Sequence, residues 1–212
     1  MRVSVTQKLL AHPSVFRLSD FHLLRGDLSI ARENFEATLT GVTLPDLDTH
    51  AYSLACSALI HYRKAFDKTG HRRAFLTEEV VRSSASDLVS LHQHLMNLSN
   101  KYVAHSENEY EQCLATILVA EDNGGNATFR GLGFQASSIA LLSQYDSQRS
   151  IVLIDRLIKG YLLPEMGKLE AEISAICEKL SSQELKNLPE GFAPASNSNP
   201  KTKRSWPHSG KY

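Results

Sequence analysis

The chain has 212 residues, which is enough for one domain with a sizeable hydrophobic core and a tail. Lysine plus arginine and aspartate plus glutamate number 23 each, so the formal net charge is zero and no overall basic field attracts nucleic acid. The three cysteines, Cys56, Cys113 and Cys177, are too widely spaced for a metal motif or a disulfide framework. We expect them to be small buried apolar residues in a reducing, cytoplasmic protein.

No targeting or membrane-spanning segment is predicted. The first 18 residues carry charges and lack a long apolar core, so they do not have the pattern of a signal peptide. No run of about 18 apolar residues occurs, so we expect no membrane partner. Residues 1–18 fit either a short helix or an extended segment, and we assign them as an N-terminal arm.

Two helices and a short third one are predicted next. The first runs from a cap at Ser19 or Asp20 to Gly41, although Gly26 weakens its centre. A short helix begins at Thr77, after a basic connection at 71–73. Between them, residues 48–70 form a helix because apolar residues recur there every three or four positions, namely Ala51, Leu54, Ala55, Ala58, Tyr62, Ala65 and Phe66.

The next predicted helix spans residues 84–106. Two strands around the turn at 123–126 then form a β-hairpin at about 113–135, because asparagine and glycine tolerate the positive φ that such turns need. A last long helix begins near Asp146 and keeps its apolar period to Leu180, with Pro164 kinking or splitting it. The core face of the 84–106 helix consists of Leu88, Leu91, Leu95, Leu98 and Tyr102.

These elements predict a mainly α fold, an antiparallel bundle of about four main helices with a small β-hairpin insertion. The bundle occupies residues 19–188. After residue 188, proline, serine, asparagine and lysine dominate the composition, and few residues could build a core. We therefore predict a disordered tail over residues 189–212.

One helical face between residues 94 and 105 carries polar and titratable side chains. At about 100° per residue, Asn97, Lys101 and His105 share a face with His94, and His105 borders the apolar face. Ser99 lies on the opposite border. A half-buried histidine is suited to general acid or base chemistry, and a lysine one turn away is suited to binding a phosphate. Alternatively, His105 only interacts with the carbonyl end of the helix.

Two segments, "SALIHYRKAF" (57–66) and "LHQHLMNLSNKYVAHS" (91–106), resemble the HEPN superfamily of helical domains. The hallmark of that superfamily is an arginine, a polar residue, a few further residues and then a histidine. The polar residue corresponds to Asn100 and the histidine to His105, whereas the arginine position holds Ser99. The resemblance covers roughly residues 45–112, about a third of the chain.

The resemblance implies a dimer, and in many members a metal-independent ribonuclease. The histidine would deprotonate a ribose 2′-hydroxyl, and the arginine would stabilise the charge on the attacked phosphate. Serine has no positive charge, so Ser99 argues against efficient catalysis unless Lys101 or Arg63 replaces the arginine. Arg63 could equally form an exposed or interface salt bridge. The catalytic candidates are His105 and Asn100, and the binding candidates are Lys101, Arg63, Asn97 and His94.

Three functions remain open at this stage. The first is a HEPN-like dimeric binding or regulatory module without efficient catalysis. The second is a metal-independent endoribonuclease that uses His105 as its general base, and the third is a protein-interaction bundle with no role in nucleic-acid binding. The expected partners are a second copy of the chain and either RNA or a partner protein, and no cofactor or metal is expected.

Overall fold

The structure is a computed structural model that describes residues 6–40, 47–68, 74–100, 112–121, 127–137 and 142–190. Over these residues the fold is mainly α-helical with a small β-hairpin, which confirms the predicted fold class. The helices are α1 (Pro13–Leu39), α2 (Leu47–Lys64), α3 (Glu78–Ser84), α4 (Val89–Leu98), α5 (Gln144–Leu157), α6 (Leu163–Cys177) and α7 (Ser182–Asn187), and the strands are β1 (Gln112–Glu121) and β2 (Ala127–Ser137).

Helices α1 and α2 pack against each other in antiparallel directions. Asn34 donates a hydrogen bond to Ser57 over 2.9 Å, and Nδ1 of His61 lies 2.8 Å from a carboxylate oxygen of Asp27. Residue numbers therefore rise along α1 as they fall along α2. These polar contacts hold the register of the two helices while their apolar faces form the core.

Helix α1 also packs against α5 and α6, again in the antiparallel direction. Nε of Arg32 lies 2.9 Å from Asp155 of α5, and the Ser14 hydroxyl donates to Glu172 of α6 over 2.7 Å. Helix α1 is thus the central element of the bundle, because it contacts α2, α5 and α6.

The core is continuous and draws on every long helix that the structure describes. Burial of these side chains is the main contribution to stability, at roughly 1.5–3 kcal/mol for each large one. The leucines predicted for the core face of α4 are buried, which confirms that part of the pattern, whereas Tyr102 lies outside the described residues. The largest fully buried side chains are Tyr62, Phe35, Leu24, Leu28, Leu59, Leu76, Leu95, Leu153, Ile154, Leu157 and Leu162.

Helix α1 begins earlier than the sequence pattern predicts. Pro13 occupies the first turn, and Nδ1 of His12 accepts a hydrogen bond from the backbone N–H of Ser14 over 3.2 Å. Asp20, proposed as a cap, is instead buried within the helix. Of the two conformations that fit residues 1–18, residues 13–18 adopt the helical one as part of α1, because proline with its fixed φ begins a helix well.

The predicted helix over 84–106 is interrupted near its start. Ala85 has φ −154° and ψ 57°, which ends α3, and a 3-10 turn at Ser86–Leu88 precedes α4. Thr77 precedes the first residue of α3, as predicted. The break at Ala85 separates α3 from α4, and both helices bury apolar residues.

The hairpin matches its predicted position and contains one irregularity. Strands β1 and β2 pair in antiparallel register, with a bulge between Leu118 and Val119 of β1 and their partners Gly131 and Phe129 of β2. Arg130 is the extra residue, and Gly131 has φ +154°, a conformation that glycine adopts without strain.

The last long helix changes its geometry just before Pro164, as its sequence predicts. Residues Ile158–Leu162 form a π-helical turn, in which the N–H of Leu163 donates to the carbonyl of Ile158, five residues earlier. Pro164 then lies in the first turn of α6. Proline has no N–H to donate to Gly160, and the change from α-helical to π-helical geometry lies directly before it.

The two ends of the described chain meet. The N–H of Leu9 donates to the carbonyl of Pro189 over 2.8 Å, and Lys8 and Glu190 form a β-bridge. The predicted disordered tail is therefore wrong at residues 189 and 190, which are paired. Residues 191–212 lie outside the described residues.

Candidate functional site

The described part of the candidate site lies on α4 and the two residues after it. His94, Asn97 and Asn100 are all exposed and follow one another at a spacing of three residues. At about 100° per residue, successive members of this set are about 60° apart, so the three side chains spread over about 120° of the exposed helix surface. Helical geometry continues beyond Leu98, because the N–H of Ser99 donates to carbonyls of α4.

Two predicted site residues, Lys101 and His105, lie outside the described residues. Their roles as phosphate-binding group and general base stay predictions from the sequence. The structure exposes His94 and Asn97 together, on the side that the helical wheel predicts for both, and exposes Asn100 three residues further along.

Ser99 differs from its exposed neighbour Asn100. Its exposed fraction is 1%, so the side chain at this position faces the core. A hydroxyl in that place cannot contact a substrate phosphate at the surface. The helical wheel had placed Ser99 at the border of the buried face, and the structure places it inside that face.

Arg63 lies in the last turn of α2, next to Tyr62, and is half-buried. Within the described part of the chain, its side chain forms no ion pair and no hydrogen bond. A salt bridge of Arg63, one of the two sequence interpretations, is therefore not found among these residues.

A buried polar pair lies between α2 and α4. The hydroxyl of Tyr62 and Nδ1 of His92 are 2.8 Å apart, and both residues are buried. Phe66 completes the cluster, with its ring centroid 4.6 Å from that of His92 and 5.1 Å from that of Tyr62. The burial of Tyr62 and Phe66 confirms that the apolar face of α2 belongs to the core, whereas nothing in the sequence identified His92 as their partner.

Burial sets the protonation of this pair. It lowers the pKa of His92 below its ordinary value of 6.5, and the charge of Glu78 only partly opposes this effect. Burial also raises the pKa of Tyr62 well above 10.0. Both groups are therefore uncharged at neutral pH, and the hydrogen bond between the Tyr62 hydroxyl and Nδ1 of His92 joins them in the core.

A second group of polar contacts joins α1 to its neighbours. Nδ1 of His61 faces Asp27, which is 9% exposed, and Arg32 bridges Asp155 and Glu36. Burial would raise the pKa of Asp155, but hydrogen bonds from Lys159 and Arg32 outweigh it and lower that pKa. Sequence reasoning missed these contacts because partners in different helices share no sequence spacing.

We find no candidate metal site in the part of the chain that the structure describes. Its histidines, cysteines and acidic residues form no group of three or more suited to hold a metal ion. The buried histidine, His92, is paired with a tyrosine. The described polar groups are thus suited to hydrogen bonding and helix packing.

Comparisons with protein-family models, curated proteins and solved structures found no match for this chain. Among the described residues, no helix has both the length and the apolar character needed to cross a bilayer.

Proposed function

We propose that this protein is a HEPN-like, homodimeric binding or regulatory module of the cytoplasm that does not catalyse RNA cleavage efficiently. Two features support the proposal, namely the "NKYVAHS" motif at 100–106 and its attachment to the end of a helix in a mainly α bundle. The expectation of a dimer and of RNA as the ligand comes from the resemblance to the HEPN superfamily.

The burial of Ser99 is the observation that supports the absence of efficient catalysis. In the resembling superfamily the corresponding arginine stabilises charge on the attacked phosphate. Here position 99 is 1% exposed and lacks a cation, so it can supply neither the charge nor the contact. Loss of one transition-state donor typically costs about 10²–10³ in rate, which leaves binding as the better-supported role.

The proposed binding surface is the side of α4 that carries His94, Asn97 and Asn100. All three side chains are exposed, and each can donate a hydrogen bond to a phosphate or to a base edge. On the sequence pattern, Lys101 and His105 extend the same side. A surface of this kind suits single-stranded RNA, whose unstacked bases and backbone offer acceptors.

The experiment that tests binding is fluorescence anisotropy with a labelled single-stranded RNA and the full chain. We expect the double variant His94→Ala, Asn97→Ala to weaken binding, by about tenfold for each lost charged or bidentate contact. The matched control is His22→Ala, which removes an exposed histidine from α1 and should leave binding unchanged. If wild type and double variant bind the RNA equally well, α4 is not the binding surface.

The same RNA tests the non-catalytic statement. Incubation with the protein in the presence of a metal chelator should leave the RNA intact. If the RNA is cleaved, and His105→Ala abolishes the cleavage, the protein is the ribonuclease that the resemblance offers as an alternative. Contaminating nuclease is identified by cleavage that persists in the His105→Ala preparation.

A further inference from the structure

Helix α4 carries a wider apolar arc than the part of it that is fully buried. At about 100° per residue, with Leu91 at zero, the apolar side chains of α4 lie between about 340° and 160°. The leucines of this arc are buried, whereas its valine and methionine, near 150°, are only partly buried. The arc thus covers about half of the helix surface, and it consists of Val89, Leu91, Leu95, Met96 and Leu98.

Apolar packing alone permits more than one rotation of α4 about its own axis. A rotation of about 40° would exchange Leu98 for Met96 at the two edges of the buried side. Leucine and methionine have similar volumes and replace each other in protein cores at small cost. The apolar arc therefore distinguishes poorly between these rotations.

The hydrogen bond between Tyr62 and His92 does distinguish between them. His92 lies within the arc, at about 100° from Leu91, and Phe66 packs against its ring. In the described part of the chain, the 2.8 Å contact of its Nδ1 with the Tyr62 hydroxyl is the side-chain hydrogen bond that joins α4 to another helix. The apolar side chains of α4 set its burial, and this contact has the directionality to set its rotation.

Rotation away from the observed position would break this bond. At a helix radius of about 5–6 Å, a rotation of about 40° moves a side chain by roughly 4 Å. The Tyr62 hydroxyl and the His92 imidazole would then remain in the core without a partner. That penalty favours the observed rotation by about tenfold or more.

We infer that the Tyr62–His92 pair selects one rotation of α4 among those that its apolar arc permits, and so positions His94 and Asn97 at the surface. His94 and Asn97 lie about 200° and 140° from His92 on the helix, and a rotation would displace them by the same roughly 4 Å. Tyr62 and His92 are positioning residues that touch no ligand. The consequence for RNA binding rests on the proposed function, whereas the selected rotation does not.

The test replaces both members of the pair at once, in the double variant Tyr62→Phe, His92→Leu. Neither polar group is left unpaired, so the full chain should fold with nearly unchanged stability. Leu98→Cys, introduced into wild type and into the double variant, measures exposure at the edge of the arc by its rate of alkylation with iodoacetamide. If the rotated state rises from about a tenth to about half of the population, this thiol should react roughly fivefold faster in the double variant.

The label can be assigned to this thiol without ambiguity. Trypsin cuts after Arg82 and Lys101, and the peptide between these sites contains all of α4 and no native cysteine. Mass spectrometry of that peptide therefore gives the alkylation rate at position 98 alone.

Two further variants separate rotation from a general loosening of α4. Leu95→Cys is the matched control, because Leu95 lies near the middle of the arc and stays buried in either rotation. Its thiol should remain equally protected in both backgrounds. His92→Gln, which retains an acceptor for the Tyr62 hydroxyl, should restore slow alkylation of the Leu98→Cys thiol.

Binding of the labelled single-stranded RNA gives the functional measurement. With about half of the molecules in the observed rotation, the double variant should bind roughly twofold more weakly than wild type. His92→Gln should bind like wild type. Unchanged binding by the double variant, together with faster alkylation at position 98, would overturn the positioning of the binding residues.

The other outcomes keep the inference and the proposed function distinguishable. Equal alkylation at position 98 in both backgrounds overturns the selected rotation, and so does faster alkylation at both 98 and 95, which shows that α4 has detached. A double variant that does not fold also overturns it, because apolar packing would then not hold α4 without the pair. A wild-type protein that binds no RNA, with alkylation as expected, removes the proposed function and leaves the selected rotation intact.

Discussion

The hydroxyl of Tyr62 and Nδ1 of His92 form a 2.8 Å hydrogen bond that joins α2 to α4 inside the core. The bond fixes the rotation of α4 about its own axis, because His92 must face α2. It thereby also fixes which residues of α4 face outward. The exposed candidates His94 and Asn97 follow His92 in the chain, so their exposure depends on this buried contact.

Tyr62→Phe should destabilise the protein, because it leaves the buried imidazole without its partner. The expected loss in free energy of unfolding is about 1–3 kcal/mol, the usual penalty for an unsatisfied buried polar group. Urea denaturation followed by circular dichroism measures this change. Tyr145→Phe is the matched control, since the Tyr145 side chain is exposed and the substitution should change stability by less than about 0.5 kcal/mol.

His92 should make stability fall with acid. Its pKa in the folded protein lies below the ordinary value of 6.5, so the unfolded state binds the proton first. Stability is therefore fully present above pH 6.5 and falls as the pH drops below that value. His92→Gln retains a hydrogen-bonding group without this titration, and urea denaturation between pH 7 and pH 5 should show a shallower slope for the variant. Equal slopes would contradict the assignment.

Ser99→Arg should strongly destabilise the protein and should not restore catalysis. The side chain of residue 99 faces the core, and a buried unpaired charge costs about 3–5 kcal/mol. Thermal denaturation is the measurement. Asn100→Arg, one residue further along and exposed, should change stability by only about 0.5 kcal/mol. A stable Ser99→Arg variant that cleaves RNA would show that position 99 does reach a substrate.

Asp155→Asn should weaken the contact between α1 and α5 by a small amount. The pair with Arg32 is about one-third exposed, so we expect a loss of only about 0–1 kcal/mol at neutral pH. Because the pKa of Asp155 is lowered in the folded state, its contribution is present above its ordinary value of 3.8 and is lost as the pH falls through the folded pKa. Acid titration of stability should therefore be flatter for the variant than for wild type or for the exposed-site control Glu170→Gln.

Local sequence signals predicted helices and strands well where an apolar pattern or a turn residue determines the backbone geometry. The apolar spacing identified α2 and the core leucines of α4, and the turn at 123–126 led to the correct strands. Pro13 is also a signal for the start of α1, whereas Ser19 and Asp20, which have the side chains of N-caps, lie inside the helix. The break at Ala85 has no comparable signal, because alanine favours helices and the tertiary packing of α3 and α4 overrides that preference.

The site was predictable only in part, since burial depends on contacts between distant residues. The helical wheel placed His94 and Asn97 on one side of the helix, and they are exposed together. It could not identify His92 as the partner of Tyr62, 30 residues away in the chain. The bulge at Arg130 could not be predicted either. It changes the side of the sheet to which the following side chains point, but it leaves no mark in the composition of the strand.

The π-helical turn at Ile158–Leu162 has a consequence for how this chain tolerates changes in length. Fully buried positions in this long helix recur at steps of one to four residues, except from Leu157 to Leu162, which is a step of five. The turn thus absorbs one residue more than α-helical spacing allows. Deleting the exposed Gly160 should restore a regular helix with Leu157 and Met166 still facing the core, whereas a one-residue insertion within α6 would turn Leu169 about 100° out of it.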